Sequence, residues 1–159
     1  MKPLYRGIAV AVVQCLLVLC VAGKYSSDRD RLPRVWVRVA PAMHDVPMRG
    51  RYARLNLELD VPAGTKSGWL FGKLSVRDGR LFAEPVPFDS GLQIAPLSDE
   101  GWGLAEPVEF FVPARSGDPT RRPPGEELWV EVTVPPQGEP RPIRLGVKKN
   151  GVLTPLELR

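Results

Sequence analysis

Sulfur and imidazole are scarce in this chain, and that scarcity excludes most metal and thiol chemistry at once. Of 159 residues, two are cysteine and one is histidine. Cys15 and Cys20 both lie inside an apolar run near the N-terminus. Everything beyond that run therefore has no thiol, no disulfide and no thiolate ligand. A structural zinc site wants four N or S donors at close spacing, and one imidazole cannot build it. His44, beside Asp45 in a proline-bounded loop, reads as a solvated loop residue, because a general base needs partners to orient it. Also missing are a G-x-S-x-G nucleophile elbow, a phosphate-cradling glycine loop and a calcium loop. Ser67, Ser90 and Ser116 each precede a glycine, which is ordinary turn chemistry. Glu84, Asp89, Glu106 and Glu109 stand near apolar segments, but nothing selects the pair a glycosidase would use. No cofactor or metal is expected, and no enzyme.

A surplus of one charge is lacking too. The 22 Lys and Arg residues face 18 Asp and Glu residues, for a net charge of +4. That balance does not point to nucleic acid as a partner.

What the chain does have is one greasy stretch, residues 8–22 (IAVAVVQCLLVLCVA), whose clearly polar member is Gln14. Lys2 and Arg6 precede it; Lys24 and Tyr25 follow. A bilayer core of roughly 30 Å needs about 20 helical residues at 1.5 Å each. Counted from Leu4 through Tyr25, with Arg6 and Lys24 snorkelling outward and Tyr5 and Tyr25 at the interfaces, the helix just spans. Residues 1–25 are thus expected to form a transmembrane anchor in contact with the lipid bilayer. A cleaved signal peptide is the alternative, supported by the small pair Ala22-Gly23 and opposed by Val21 at the minus-three position. A basic start with Lys2 and Arg6 puts the short N-terminus inside and the C-terminal part outside, although Lys24, Arg29, Arg31 and Arg34 run against that orientation. Residues 26–33 are polar and charged, and read as a spacer.

Proline is abundant: 18 residues, more than twice its usual share of about 5%. Proline disfavours helix interiors and central strands, so residues 34–159 should be short strands, edges and turns. Period-two alternation says the same. Val35, Val37 and Val39 share one face of a strand over Arg34–Ala40. Ala53, Leu55, Leu57, Leu59 and Val61 alternate with Tyr52, Arg54, Asn56, Glu58 and Asp60. Residues 69–76 and 81–88 flank Asp78-Gly79, and residues 143–158 fold about Asn150-Gly151; both dipeptides are hairpin signals. Strands at 92–97, 108–113 and 127–134 complete the set, the last with Leu128, Val130, Val132 and Val134 inward. The expected fold is all-β, a compact β-sandwich or open barrel of about eight short strands behind one N-terminal transmembrane helix.

Arg49, Arg51 and Arg54 cluster beside Tyr52, as a possible contact for anionic headgroups or an acidic partner. The plainer reading has Arg54 balancing Glu58 or Asp60 on a solvated face. Trp36 and Trp129 fall opposite their strands' apolar faces, which means either a second covered layer or an exposed apolar patch.

Residues 49–57 (RGRYARLNL) resemble the GDYXXLXY proteins, bacterial membrane-anchored proteins named for that motif and without an assigned activity. Gly50, Tyr52 and Leu55 match its Gly, Tyr and Leu; Arg51 stands where the motif has Asp, and Leu57 where it has Tyr. The Gln-containing anchor ending in Lys24-Tyr25 and the Phe110-Phe111-Val112-Pro113 element are similar as well, with Ala114 where the family places Glu. The resemblance implies placement: an accessory protein of the bacterial cytoplasmic (inner) membrane, of a group commonly encoded beside polytopic membrane proteins. The anchor, the strand pattern and the absence of a catalytic constellation add the expectation of a single-pass protein whose periplasmic β-domain binds a polytopic membrane protein. It carries over no catalytic residues. Gly50, Tyr52 and Leu55 are then structural: a glycine before a strand permits a tight approach, and a tyrosine ring packs while its hydroxyl seeks a backbone group. Two alternatives differ in class. An anchored hydrolase of the signal-peptidase kind would need a serine in the loop before Gly50, where His44, Asp45, Pro47 and Met48 stand instead. A secreted β-protein would begin near Lys24.

Overall fold

Uninterrupted apolar residues followed by polar ones without a breaker make one long helix. The computed structural model describes residues 3–40, 48–49, 51–65, 68, 70–88, 90–98, 101–114 and 116–158. In it, α1 spans Pro3–Arg31. The polar segment read as a spacer is therefore largely the last turns of the same helix. It contains neither proline nor glycine until Pro33, and Pro33 disfavours helical backbone at Leu32 before it. Gly7–Ser27 within α1 is long and apolar enough to cross a membrane, and none of it is covered by protein. Two compact units follow, 1–32 and 33–159.

The second unit is an all-β sheet. In chain order its strands are β1 (Arg34–Ala40), β2 (Met48–Arg49), β3 (Tyr52–Leu59), β4 (Leu70–Arg77), β5 (Arg80–Val86), β6 (Leu92–Ser98), β7 (Gly101–Leu104), β8 (Val108–Phe111), β9 (Glu126–Thr133), β10 (Arg141–Lys149) and β11 (Val152–Pro155). Their order in the sheet is β11-β10-β9-β1-β3-β7-β6-β4-β5, with β2 and β8 also on β3. Every one of these pairings is antiparallel. The single sheet curls into a half-barrel, so of the two expected architectures the open barrel is the one adopted. Curling brings the far edge back to the middle. The Asp60 N–H donates to the Leu81 carbonyl at 2.9 Å, and the Ala83 N–H donates to the Asp60 carbonyl at 2.8 Å. This parallel bridge joins β5 to the end of β3.

Strand β3 is the axle of the fold. Val39 and Ala40 of β1 and the short β2 line one edge; β7 and β8 line the other. Inward side chains of alternating parity form the core: Val35, Val37, Val39, Ala53, Leu55, Leu57, Leu59, Leu128, Val130, Val132, Val134 and Leu145 are all buried. Their period of two is the same alternation visible in the sequence. The two hairpin turns also form as expected. Asp78 and Gly79 adopt φ of 50° and 72°, and Asn150 and Gly151 adopt 51° and 81°. Positive φ at both central positions matches the right-handed twist of the flanking strands.

Prolines occupy sites that spare the ladder. Pro96 and Pro142 adjoin register shifts, and Pro155 lies in β11, the last strand of the sheet path. Two short strands, β2 and β7, lie outside the expected set. β7 is Gly-Trp-Gly-Leu, a poor strand sequence. Its Gly103 leaves room for the Leu97 side chain: a Cβ there would stand 2.5 Å from Leu97 Cδ1, so Leu97 would have to shift.

Candidate functional site

The loop between β9 and β10 (PPQGEP, 135–140) is held at both ends by buried prolines, Pro135 and Pro140, while Pro136, Gln137, Gly138 and Glu139 are exposed. Beneath and beside it runs a groove in three parts. Its main part, about 980 Å³, lies between this loop with the start of β10 (Arg141, Pro142) and the β7–β8 connection (105–107) with Val108, Glu109 and Arg54. A second part of about 510 Å³ continues past Gly72, Lys73, Leu74 and Gly91. A third, about 210 Å³, reaches Phe71, Gln93 and Leu104. Leu92 lines all three.

The topology explains why the groove has a strand edge along one wall. Among the described residues, β8 is laddered to β3 alone. The Val112 N–H donates to the Arg51 carbonyl at 2.7 Å, one step beyond the Tyr52–Phe111 pair. Hydrogen-bonded pairs recur every second residue, so Val108 and Phe110 direct their main-chain groups at β3. Glu109 and Phe111 direct theirs the opposite way, toward the free edge. Three carboxylate residues (Glu106, Glu109, Glu139) and two guanidinium residues (Arg54, Arg141) line the main part of the groove. The chemistry available is main-chain hydrogen bonding beside charged side chains of both signs. Among the described residues, no group of three His, Cys, Asp or Glu side chains is placed to hold a metal ion.

The residues singled out from the sequence separate. Leu55 is fully buried at 0% exposure and belongs to the core. Tyr52 is 46% exposed and meets Phe111, itself 52% exposed, edge to face at 5.7 Å. It is a surface aromatic, not a packed core tyrosine. Gly50 lies outside the described residues, as do His44, Asp45, Ser67 and Asp89. Arg49 is in β2 and Arg51 is an exposed turn residue. Arg54 is not neutralised by Glu58 or Asp60 as expected: Glu58 pairs with Arg38 at 3.3 Å, and Asp60 with Arg80 at 3.3 Å. It stands instead across the ladder from Glu109, at the groove. Of the carboxylates considered, Glu84 pairs with Arg77, while Glu106 and Glu109 both reach the groove.

Trp36 and Trp129 form neither a bare apolar patch nor a second core. Cations cover them. The Arg144 guanidinium lies 5.4 Å from the Trp36 ring centre, and Lys148 Nζ lies 4.6 Å from that of Trp129. Arg144 Nε also donates to Glu131 Oε2 at 2.6 Å, and Trp129 Nε1 donates to Glu127 Oε2 at 3.1 Å. Cation–π contact and charge pairing together close this face. The sequence singled out Arg54, Glu106 and Glu109 but not the groove they share, because its walls come from residues 54, 92, 105–109, 135 and 137–142, which only the topology brings together. No family model, curated protein or solved structure matches this chain.

Proposed function

We propose that the chain is a non-enzymatic accessory module of the bacterial cytoplasmic membrane. In this reading α1 anchors it with the short N-terminus inside, and the β-domain sits in the periplasm. There the domain holds an extended segment of a polytopic membrane protein in the groove beneath the β9–β10 loop. The observation that carries the reading is the edge of β8 that no strand pairs among the described residues. The outward main-chain groups of Glu109 and Phe111 can extend the ladder to an added strand. The proline-clamped loop supports it, since a wall held at both ends loses little freedom on binding. Membership of the GDYXXLXY group belongs to the same proposal and rests on Gly50, Tyr52 and Leu55.

Photo-crosslinking in intact cells tests this. A photoreactive residue at Gln137 or Glu109 should give one adduct with an integral membrane protein. The same probe at Val152, in β11, should not. Equal labelling from all three positions, or adducts with soluble proteins alone, contradicts the proposal.

A further inference from the structure

Within α1, Gln14 is a primary amide on an otherwise apolar surface. It lies about three residues from the centre of Gly7–Ser27, or roughly 4–5 Å along the axis at 1.5 Å per residue. Its side chain is exposed, and it makes no hydrogen bond among the described residues. In hydrocarbon an amide without a partner is costly, so the helix has reason to bring one to it. Helix geometry fixes which residues share the face of Gln14. Gly7, Gln14 and Val21 are seven apart, and Ala11, Val18 and Tyr25 form the interleaved series. Those two series are the a and d positions of a heptad, the seam along which parallel helices pack. Gly7 and Ala11 are small enough to let two backbones approach. Opposite the seam stand the bulky Val12, Leu16 and Leu19, suited to lipid.

We infer that α1 pairs with a second copy of itself along the Gly7–Ala11–Gln14–Val18–Val21 face, with Gln14 bonding to Gln14 of the other copy. The amide chemistry selects this occupant. A primary amide carries both donor and acceptor, so two of them at one depth satisfy each other through two N–H···O=C bonds. Copies of one chain share orientation, which sets both amides at that depth. Cys15 and Cys20 lie about 100° and 120° from Gln14 around the helix, so the pairing needs no native disulfide. This inference rests on α1 being a membrane anchor.

The test uses the full chain with Cys15→Ala and Cys20→Ala, in native membranes, with single cysteines introduced by Val18→Cys, Val21→Cys or Leu19→Cys. Mild oxidation should give covalent dimer at Val18→Cys and Val21→Cys and little at Leu19→Cys. Adding Gln14→Leu should lower the dimer yield about threefold to tenfold, the range one or two interhelical hydrogen bonds support. Gln14→Asn should restore most of it. Equal yields at all three positions, no dimer at any, or indifference to Gln14→Leu would overturn the inference. Adducts whose mass is not twice that of the chain would overturn it in favour of an unlike helix. Alkaline extraction of the same membranes separates the two claims: chain retained without dimer refutes the pairing alone, whereas chain released refutes the anchor as well.

Discussion

Replacing Leu55 by alanine puts the central strand to a quantitative test. Leu55 is fully buried, faces Val108 across the ladder, and sits on a strand flanked on both edges. A β3 pinned from both sides cannot close over the missing atoms, so the lost transfer energy is joined by a cavity term. The cost should be about 3–4 kcal/mol. A domain the size of Pro33–Arg159 is stable by roughly 6–19 kcal/mol, so the variant still folds. Its Tm should fall by about 12–16 °C, at about 4 °C per kcal/mol for this length. Tyr52→Ala, three residues away, removes a half-exposed ring and its edge-to-face contact with Phe111, and should cost about 1 kcal/mol. Urea denaturation of the two variants, read by tryptophan fluorescence, measures both figures. A Leu55→Ala cost below about 1 kcal/mol, or a Tyr52→Ala cost as large as that of Leu55→Ala, would refute the placement of β3.

Gly91→Ala should destabilise by about 1–3 kcal/mol, because its Cβ would lie 2.6 Å from the Gly72 carbonyl oxygen, a backbone atom that cannot swing aside. Gly117→Ala, where a Cβ meets nothing within 4 Å, should change stability by less than about 0.5 kcal/mol in the same denaturation experiment. A double-mutant cycle on Glu131→Gln and Arg144→Met should return a coupling of about 1 kcal/mol, modest because the Arg144 side chain is about half exposed, and a value near zero would mean the pair contributes nothing. Gly79→Val forces a β-branched residue to a φ of 72°, and should cost more than 1 kcal/mol by thermal melting, while Arg80→Lys on the adjoining strand should be nearly neutral.

The strands were legible where the physics is local. Alternation over residues 53–59 and 128–134 needs no tertiary knowledge, and Asp78-Gly79 and Asn150-Gly151 announce their turns by the φ they require. β7 was not legible, since Gly103 is there to admit Leu97 from the neighbouring strand, and that demand is invisible in a single segment. The end of α1 is hidden for a related reason: residues 26–33 have the polar composition of a spacer, although nothing before Pro33 breaks the helix. The partner of Arg54 is not legible in one strand, because Glu58 and Asp60 are claimed by Arg38 and Arg80 from other strands. The groove was beyond reach in the same way, being made by the curl that carries the β9–β10 loop toward β8.

Alkaline extraction of native membranes, followed by intact-mass measurement of the pelleted protein, tests the tether most directly. The pellet should hold the uncut chain of about 17.6 kDa. A protein that washes into the supernatant, or one whose first residue falls close to Lys24, would contradict it.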